Sequence, residues 1–306
     1  MKSQLVFLYP GQGSQQVGMG RALYERHEEA RRIFDRADSL LGFSLSTLCF
    51  DGPQRELDHD LVAQLAVFTL GCALSAVLER KHILPEAATG YSSGFYAAAF
   101  AAGCFDFDTG LIIVKRAGEL LLQEANTVKG CMAVIFGLPR RRVETLCGKT
   151  AGADIAIVNT ARQVIISGTE SAVKKVMAIA LKEGALDAYT LSVGAPYHSS
   201  FMAPAGARLL GELKGMAVEK PVIPLVSFHT LKKIGGAASL RMIMATQLSH
   251  PVLWVDLIKA IRRPETVFVE LGAGAVIART VRWIDRTIEI VSVSDTRDIL
   301  HLGDKL

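Results

Sequence analysis

The chain has few of the residues that mark the specialised classes of protein. Its five cysteines lie far apart among 306 residues and form no CxxC pair, so we expect neither a disulfide framework nor a metal site. Charged residues make up only 21%, and a scattered net charge of +4 argues against a nucleic-acid-binding protein. Aromatic residues, at 7%, are fewer than an all-β sandwich would favour.

Long hydrophobic runs are also rare. The apolar stretch at residues 5–8 stops at Pro10 and is too short for the core of a signal peptide. The longest run, residues 61–78, contains Gln64, Thr69 and Ser75 and ends in three charged residues. A membrane span needs about 20 apolar residues. We therefore expect a buried core helix, no membrane partner and a cytoplasmic location.

Hydrophobic residues, which make up 50% of the chain, are enough for a large core. Domains average roughly 150 residues, so the length predicts two units. The patterning predicts an α/β fold, with a first strand at 4–9, helices at 17–41, 61–80, 95–102 and 107–125, and later strands near 223–228, 267–271 and 288–293.

Residues 131–193 follow a different pattern. Predicted strands and helices alternate there in the order β-α-β-β-α-β, which is typical of a ferredoxin-like unit with its own sheet. We predict that this subdomain is inserted into a larger α/β domain formed by residues 1–130 and 194–306.

The segment Gly90-Tyr91-Ser92-Ser93-Gly94 has the G-x-S-x-G pattern. This pattern places a nucleophilic serine on a sharp turn between a strand and a helix, where glycines allow a strained backbone and close packing. Free N–H groups at the start of the helix can stabilise an oxyanion. The alternative is an ordinary serine at a helix N-terminus.

A serine nucleophile needs a base, and histidine is the usual one. Four of the seven histidines lie in charged or terminal stretches. His198 lies in a loop of small residues just after the predicted subdomain, where it could reach Ser92 across an interdomain cleft. The residues alone do not separate it from His229 and His250.

Six short motifs occur in order along nearly the whole chain: PGQGSQ at 10–15, GYSSG at 90–94, QVIISG at 163–168, YHSSFM at 197–202, QLSHPVLW at 247–254 and ELGAG at 270–274. Together they resemble the malonyl-CoA:acyl carrier protein transacylase family, which includes the acyltransferase domains of polyketide synthases. The resemblance implies a hydrolase-like large domain with a parallel sheet and an inserted ferredoxin-like subdomain.

The resemblance also implies roles for single residues. Ser92 would form an acyl-enzyme ester, and His198 would be its base, held by a backbone carbonyl in residues 247–250 in place of a carboxylate. The oxyanion hole would be formed by the backbone N–H groups of Gln12 and Ser93. The implied substrate-binding residues are Gln64, Tyr91, Phe95, Arg116, Ala117, Tyr197 and Gln247.

The implied reaction is ping-pong transfer of a short acyl group from acyl-CoA to the phosphopantetheine thiol of an acyl carrier protein, with no bound cofactor or metal. A thioester hydrolase that clears acyl groups from carrier proteins would use the same two residues and is the alternative. A catalytically idle docking subunit is a third possibility, which an intact serine and histidine argue against.

One departure concerns the acyl group. Malonyl-specific members of the family have an arginine 25 residues after the serine that holds the malonyl carboxylate, whereas counting from Ser92 gives Ala117 here. The neighbouring Arg116 would serve only if the helix were shifted locally, since one residue rotates a side chain by about 100°. We hypothesise that malonyl is not the preferred acyl group and that a neutral one is.

Overall fold

Two separate sheets organise the protein, in a computed structural model that describes residues 4–303. The strands are β1 Gln4–Tyr9, β2 Ala87–Gly90, β3 Gly130–Phe136, β4 Ala153–Thr160, β5 Gln163–Thr169, β6 Asp187–Thr190, β7 Thr266–Leu271 and β8 Ile290–Val293. One sheet is parallel, in the order β2-β1-β7-β8, and the other is antiparallel, in the order β4-β5-β3-β6. The predicted α/β class is confirmed. The outer ends of the predicted large domain, 1–3 and 304–306, lie outside the described residues.

The helices of this region are α1 Arg21–Arg26, α2 Glu28–Leu41, α3 Leu45–Asp51, α4 Gln54–Leu57, α5 Asp60–Arg80, α6 Gly94–Ala101, α7 Phe107–Ala125, α8 Arg140–Gly148, α9 Glu170–Lys182, α10 Ala203–Leu213, α11 Ala237–Thr246, α12 Trp254–Ile261, α13 Val276–Ile284 and α14 Thr296–Gly303.

The interior strands of the parallel sheet are buried, as β1 shows, because apolar residues follow its first residue, Gln4. In β1 every residue from Leu5 to Tyr9 is buried, as expected for a strand covered on both faces. The long helix α5 packs against α2, α6 and α7. It is long and apolar enough to cross a membrane, but 83% of its most apolar window is buried inside the protein, which is the behaviour of a core helix.

The antiparallel sheet has two apolar faces. Successive side chains of a strand point to opposite faces, and in β3 the side chains of Ala133 and Ile135 pack into a small core with α8 and α9. Met132 and Val134 belong instead to the main core of the protein. The small sheet therefore has its own helices on one face and packs against the large α/β unit with the other.

Two of the predicted elements differ from the structure. The helix predicted at 17–41 begins at Arg21, after the positive-φ residues Gly18 and Gly20, and is divided into α1 and α2 at the extended residue His27. The strand predicted at 223–228 is wrong as a regular strand. Its pairing is limited to isolated bridges, Ala88 with Leu225 and Val226 with Lys233, because Pro224 has no N–H to donate to a ladder.

Candidate active site

The G-x-S-x-G segment forms a tight turn between β2 and α6. Ser92 has a φ of 53°, in the left-handed region, and directly precedes the first turn of the helix. A Cβ atom on Gly90 would lie 2.2 Å from the backbone of Gly94, and one on Gly94 would lie 2.1 Å from the carbonyl oxygen of Tyr9. Both glycines are therefore required by close backbone packing, which holds the serine at the carboxyl end of the parallel sheet.

The side chain of His198 lies beside that of Ser92, and both residues line a cavity. The Ser92 Oγ and His198 Nε2 atoms are 2.7 Å apart, although 106 residues separate them in sequence. On the other side of the ring, Nδ1 lies 3.1 Å from the carbonyl oxygen of Gln247 and 3.0 Å from that of His250. Carbonyl oxygens only accept hydrogen bonds, so Nδ1 carries the proton and the lone pair of Nε2 faces the serine hydroxyl.

The surroundings of His198 keep the imidazole neutral. Its side chain is buried, and burial lowers its pKa below the ordinary value, an effect that the two carbonyl acceptors partly oppose. A neutral imidazole with its proton fixed on Nδ1 can remove a proton from Ser92. The arrangement supplies an orienting group for the base without a carboxylate.

The loop after β1 lies against the serine turn. The backbone N–H of Gln12 donates to Ser93 Oγ at a distance of 3.0 Å, which places this donor beside the nucleophile. Both polar atoms of the Gln12 side chain are hydrogen-bonded: Oε1 accepts from Gln64 Nε2, and Nε2 donates to Asp60 Oδ1. Asp60 Oδ2 also accepts a hydrogen bond from the Tyr197 hydroxyl at a distance of 2.6 Å. One carboxylate thus joins the loop of Gln12 to the loop of His198.

These groups surround a cavity of about 740 Å³. One wall is the inner face of the antiparallel sheet, including Met132, Ile157 and Ile165, and another is the first turn of α13. Both Ser92 and His198 line the space. The cavity is large enough for an organic substrate, and more of its surface is apolar than polar.

Several residues predicted to contact substrate do line this cavity, namely Gln64, Tyr91, Tyr197 and Gln247. The Tyr91 hydroxyl donates to Asn159 Oδ1 over 2.8 Å. Phe95 does not line it. Its side chain is fully buried and packs edge-on against Phe228, so its predicted place in the pocket is wrong.

Arg116 and Ala117 also lie outside the cavity lining. The Arg116 guanidinium is bound to the Glu212 carboxylate, with N–O distances of 2.9 and 2.8 Å, and to Glu119. Ala117 is fully buried within the helical layer. Leu121, one turn further along α7, is the residue of this helix that reaches the cavity. The structure therefore contradicts the prediction that Arg116 or Ala117 contacts substrate.

Three polar residues of the site were not predicted from the sequence. Asp60 and Asn159 are recognisable only through their long-range partners, the Gln12 amide and the Tyr91 hydroxyl. Tyr96 lines the cavity and stands four residues after Ser92 in an alanine-rich helix. That position, on the same face of the helix as the serine turn, was a signal available in the sequence.

The two other candidate bases do not contact the serine. The rings of His229 and His250 pack against each other in a tilted arrangement with centroids 4.6 Å apart, and His250 contacts His198 through its backbone carbonyl alone. Burial lowers the pKa of His229 to about 4.

The chain is similar to known acyltransferases over almost its whole length. The acyl transferase domain family matches residues 6–295. A malonyl CoA-acyl carrier protein transacylase of Bacillus subtilis is 32% identical over 302 residues, which cover 97% of this chain and 95% of that protein. A polyketide biosynthesis malonyl CoA-acyl carrier protein transacylase, PksC, of the same organism is 31% identical, covering 93% of this chain and 98% of that one.

Solved structures give the same result. The malonyl CoA-acyl carrier protein transacylase of Coxiella burnetii superposes with a TM-score of 0.95 at 32% identity, covering 100% of this chain and 98% of that one. A malonyl-transacylase in complex with a type II polyketide synthase acyl carrier protein has a TM-score of 0.95 at 28% identity, covering 99% and 100%. The resemblance seen in the six motifs is confirmed, and this chain belongs to the acyl transferase domain family.

Proposed function

We propose that this protein transfers a short acyl group from coenzyme A to the phosphopantetheine thiol of an acyl carrier protein. The observation that carries the proposal is the 2.7 Å contact between Ser92 Oγ and the unprotonated Nε2 of His198, in a cavity large enough for an acyl chain. Two relatives that this chain matches over almost their whole length are named malonyl CoA-acyl carrier protein transacylases.

In the first half-reaction, Ser92 Oγ attacks the thioester carbonyl while its proton passes to His198 Nε2. The C–S bond of the tetrahedral intermediate then breaks, CoA leaves as the thiol with that proton, and the acyl group remains as an ester on Ser92. In the second, His198 takes the proton of the carrier-protein thiol, and the thiolate sulfur attacks the ester carbonyl. The bond between the acyl carbon and Ser92 Oγ then breaks, which leaves the acyl group on the carrier thiol, and His198 returns the proton to Ser92 Oγ. These steps use only Ser92, His198 and the two thiols, so we expect no bound cofactor or metal.

The oxyanion of each intermediate would be stabilised by the backbone N–H groups of Gln12 and Ser93. The Gln12 N–H is the better defined of the two, because Gln64 and Asp60 hold its side chain. In the free protein it donates to Ser93 Oγ, so the thioester oxygen would replace a hydroxyl that is already in place. Loss of one such donor typically costs about 3 kcal/mol of transition-state stabilisation.

We assign the parallel-sheet unit, within the described residues 4–130 and 194–303 of the predicted large domain, to a hydrolase-like fold and residues 131–193 to a ferredoxin-like one. The support for the second is its element order with the sheet order β4-β5-β3-β6, which places the first strand between the third and the fourth. A cytoplasmic location agrees with the buried position of α5.

We further propose that the acyl group is uncharged. Within residues 4–303, those that line the cavity include no lysine or arginine, and Asp58 adds a negative charge at the rim. The relatives are named for malonyl, whose carboxylate would have to enter this cavity without a cationic partner. Burying an unpaired charge costs several kcal/mol.

The proposed nucleophile can be tested by incubating the protein with acyl-CoA and measuring its intact mass. We expect the wild type to gain one acyl group and Ser92→Ala to gain none, with steady-state activity lower by about 10⁴- to 10⁶-fold. Ser93→Ala is the matched control and should still be acylated, because the Ser93 hydroxyl contacts the Gln12 N–H and not His198. Acylation of Ser92→Ala would refute the assignment.

The acyl class can be tested on the same wild-type protein. We expect acetyl-, propionyl- or butyryl-CoA to acylate it faster than malonyl-CoA, by at least about tenfold. Fastest loading by malonyl-CoA would contradict an uncharged acyl group and leave the acyltransferase assignment intact.

The hydrolase alternative differs in what discharges the acyl-enzyme, and the names of the relatives do not favour it. We expect the isolated acyl-enzyme to persist in buffer and to lose its acyl group when a carrier protein with a free phosphopantetheine thiol is added. Equal loss with and without carrier protein would favour hydrolysis.

A further inference from the structure

A single carboxylate behind the cavity wall is hydrogen-bonded to two loops that are distant in sequence. Asp60, the first residue of α5, accepts from the side-chain amide of Gln12 through Oδ1. Its other oxygen, Oδ2, accepts from the Tyr197 hydroxyl at 2.6 Å and from the backbone N–H of Gly194 at 3.3 Å. Gln12 carries the proposed oxyanion donor, and Tyr197 directly precedes the proposed base, His198. The two parts of the proposed machinery therefore meet at one side chain.

Asp60 acts through these neighbours and not on the substrate. Gln12 and Tyr197 line the cavity that holds Ser92, whereas Asp60 is not among the lining residues. Asp60 itself is half-buried, at the point where α5 begins. A substitution of Asp60 thus removes no group from the cavity wall and changes only how two members of that wall are held.

The carboxylate also fixes the direction of two glutamine amides. The oxygens of a carboxylate only accept hydrogen bonds, so the atom of Gln12 that faces Asp60 is the donor Nε2. The oxygen Oε1 of Gln12 then faces Gln64, whose Nε2 donates to it at 3.2 Å. Linked hydrogen bonds of this kind strengthen one another, because each amide polarises the next. The orientation of both amides therefore depends on Asp60.

The loop of His198 needs an anchor because its backbone is strained. His198 has a φ of 57°, in the left-handed region that residues other than glycine seldom adopt. A conformation of this kind persists only where the surrounding contacts hold it. Two such contacts are the bond from the Tyr197 hydroxyl to Asp60 and the bond from the His198 N–H to the carbonyl oxygen of Leu248, at 3.2 Å. The loop also approaches the carboxylate closely, since a Cβ atom on Gly194 would lie 3.1 Å from Asp60 Oδ2.

We propose that Asp60 is a positioning residue for acyl transfer, whose carboxylate holds the oxyanion donor of Gln12 and the loop of His198 in place around Ser92. This inference rests on the proposed acyltransferase function and adds to it a residue that acts without touching the substrate. A displacement of about 1 Å in a catalytic group can cost about 10²-fold in rate. Asp60 should therefore affect the chemical step and not the binding of acyl-CoA.

The test compares Asp60→Ala with Asp60→Asn in single-turnover acylation of Ser92, using the acyl-CoA that loads the wild type fastest. We expect Asp60→Ala to lower the rate at saturating acyl-CoA by about 10- to 100-fold, while the half-saturating concentration changes by less than about threefold.

Asp60→Asn should keep this rate within about threefold of the wild type. The amide has nearly the shape of the carboxylate, and its oxygen can accept from Gln12 while its N–H₂ group donates to the Tyr197 hydroxyl oxygen. Only the longer bond from Gly194 is then lost. Tyr197→Phe removes the link to the His198 loop alone and provides a second measurement if Asp60→Ala does not fold, with an expected loss of about 3- to 10-fold.

Asp106→Ala is the matched control. Asp106 is another carboxylate at the start of a helix, where it accepts from the backbone N–H of Thr109 at 2.8 Å, and it is not among the residues that line the cavity. Its replacement should lower the free energy of unfolding, measured with urea, without changing the acylation rate per folded molecule.

An unchanged rate in Asp60→Ala, a loss confined to the half-saturating concentration, or an equal loss in Asp60→Asn would overturn the positioning role. An equal fall in rate in Asp106→Ala would also overturn it, because the loss of any carboxylate at a helix N-terminus would then explain the effect. If the wild type were not acylated on Ser92 at all, the proposed function itself would have failed.

Discussion

His198 and Glu270 are both buried ionisable residues, and only one of them can take part in chemistry. His198 presents Nε2 to Ser92 in the cavity. Glu270, fully buried on β7, has both oxygens occupied: Oε1 accepts from the N–H of Ile277 at 2.8 Å, and Oε2 accepts from the N–H of Ala278 at 2.9 Å and from the Ser292 hydroxyl at 3.0 Å.

Burial shifts the pKa of both groups, downwards for His198 and upwards for Glu270. A shifted pKa in the interior is therefore not by itself a sign of catalysis. The imidazole has one nitrogen fixed by carbonyls and the other free to exchange a proton with Ser92. The carboxylate instead joins the first turn of α13 to the parallel sheet, which is a structural role.

The largest difference between His198 and Glu270 should appear in the rate of acylation when each is substituted. His198→Ala removes the base and should lower the rate of acyl-enzyme formation by about 10³- to 10⁴-fold. For the wild type, kcat/KM should fall as the pH drops below the lowered pKa of His198, because only the neutral imidazole accepts the proton of Ser92. The measurement is single-turnover acylation across pH.

His229→Gln is the control for this prediction. His229 also has a pKa lowered by burial, but its ring packs against that of His250 and does not contact the serine. A loss as large as that in His198→Ala would show that histidine burial in this region, and not the contact with Ser92, determines the rate.

Glu270→Gln should reduce stability and have little effect on the rate of acylation. The amide would present an N–H₂ group to at least one backbone or hydroxyl donor, so we expect the free energy of unfolding to fall by about 1–3 kcal/mol. Acylation per folded molecule should change far less than in His198→Ala. Urea denaturation would measure the free energy of unfolding, and a rate measurement on the folded fraction would measure acylation. A lower acylation rate without loss of stability would contradict the structural role of Glu270.

Arg116 should give the smallest effect. It is an ionisable group whose pKa is raised by hydrogen bonds to Glu212 and Glu119, and it lies outside the cavity. Its side chain is 36% exposed, and exposed ion pairs contribute about 0–1 kcal/mol. Arg116→Ala should therefore leave the order of preference among acyl-CoA substrates unchanged. A selective loss of malonyl-CoA activity would show that Arg116 does reach the substrate.

Much of the fold could be predicted because it depends on local signals. The strand near 267–271 and the helices near 61–80 and 107–125 have apolar periodicity and clear ends, and they appear within a few residues of the predicted bounds. The division of the helix near His27 and the loss of regular pairing at Pro224 were missed, because a single extended residue and a missing N–H act against an otherwise favourable pattern.

Only part of the candidate site could be predicted from the sequence. The glycines around Ser92 are a local requirement and could be read directly, whereas the choice of His198 depended on the resemblance to a family. The network through Asp60 could not be predicted, because Asp60 joins Gln12 to Tyr197 across 48 and 137 residues of sequence. The direction of Arg116 was set by a partner on α10, which no helical periodicity of α7 reveals.

The alternation of side chains in β3 has a consequence for how such a protein can diversify. Ala133 and Ile135 hold the small sheet to its own helices, while the neighbouring Met132 forms part of the wall around the substrate. Adjacent residues of one strand thus contribute to two different cores. An exchange of Met132 for another apolar residue would change the cavity wall and the packing of the main core, while leaving the interior of the small unit untouched.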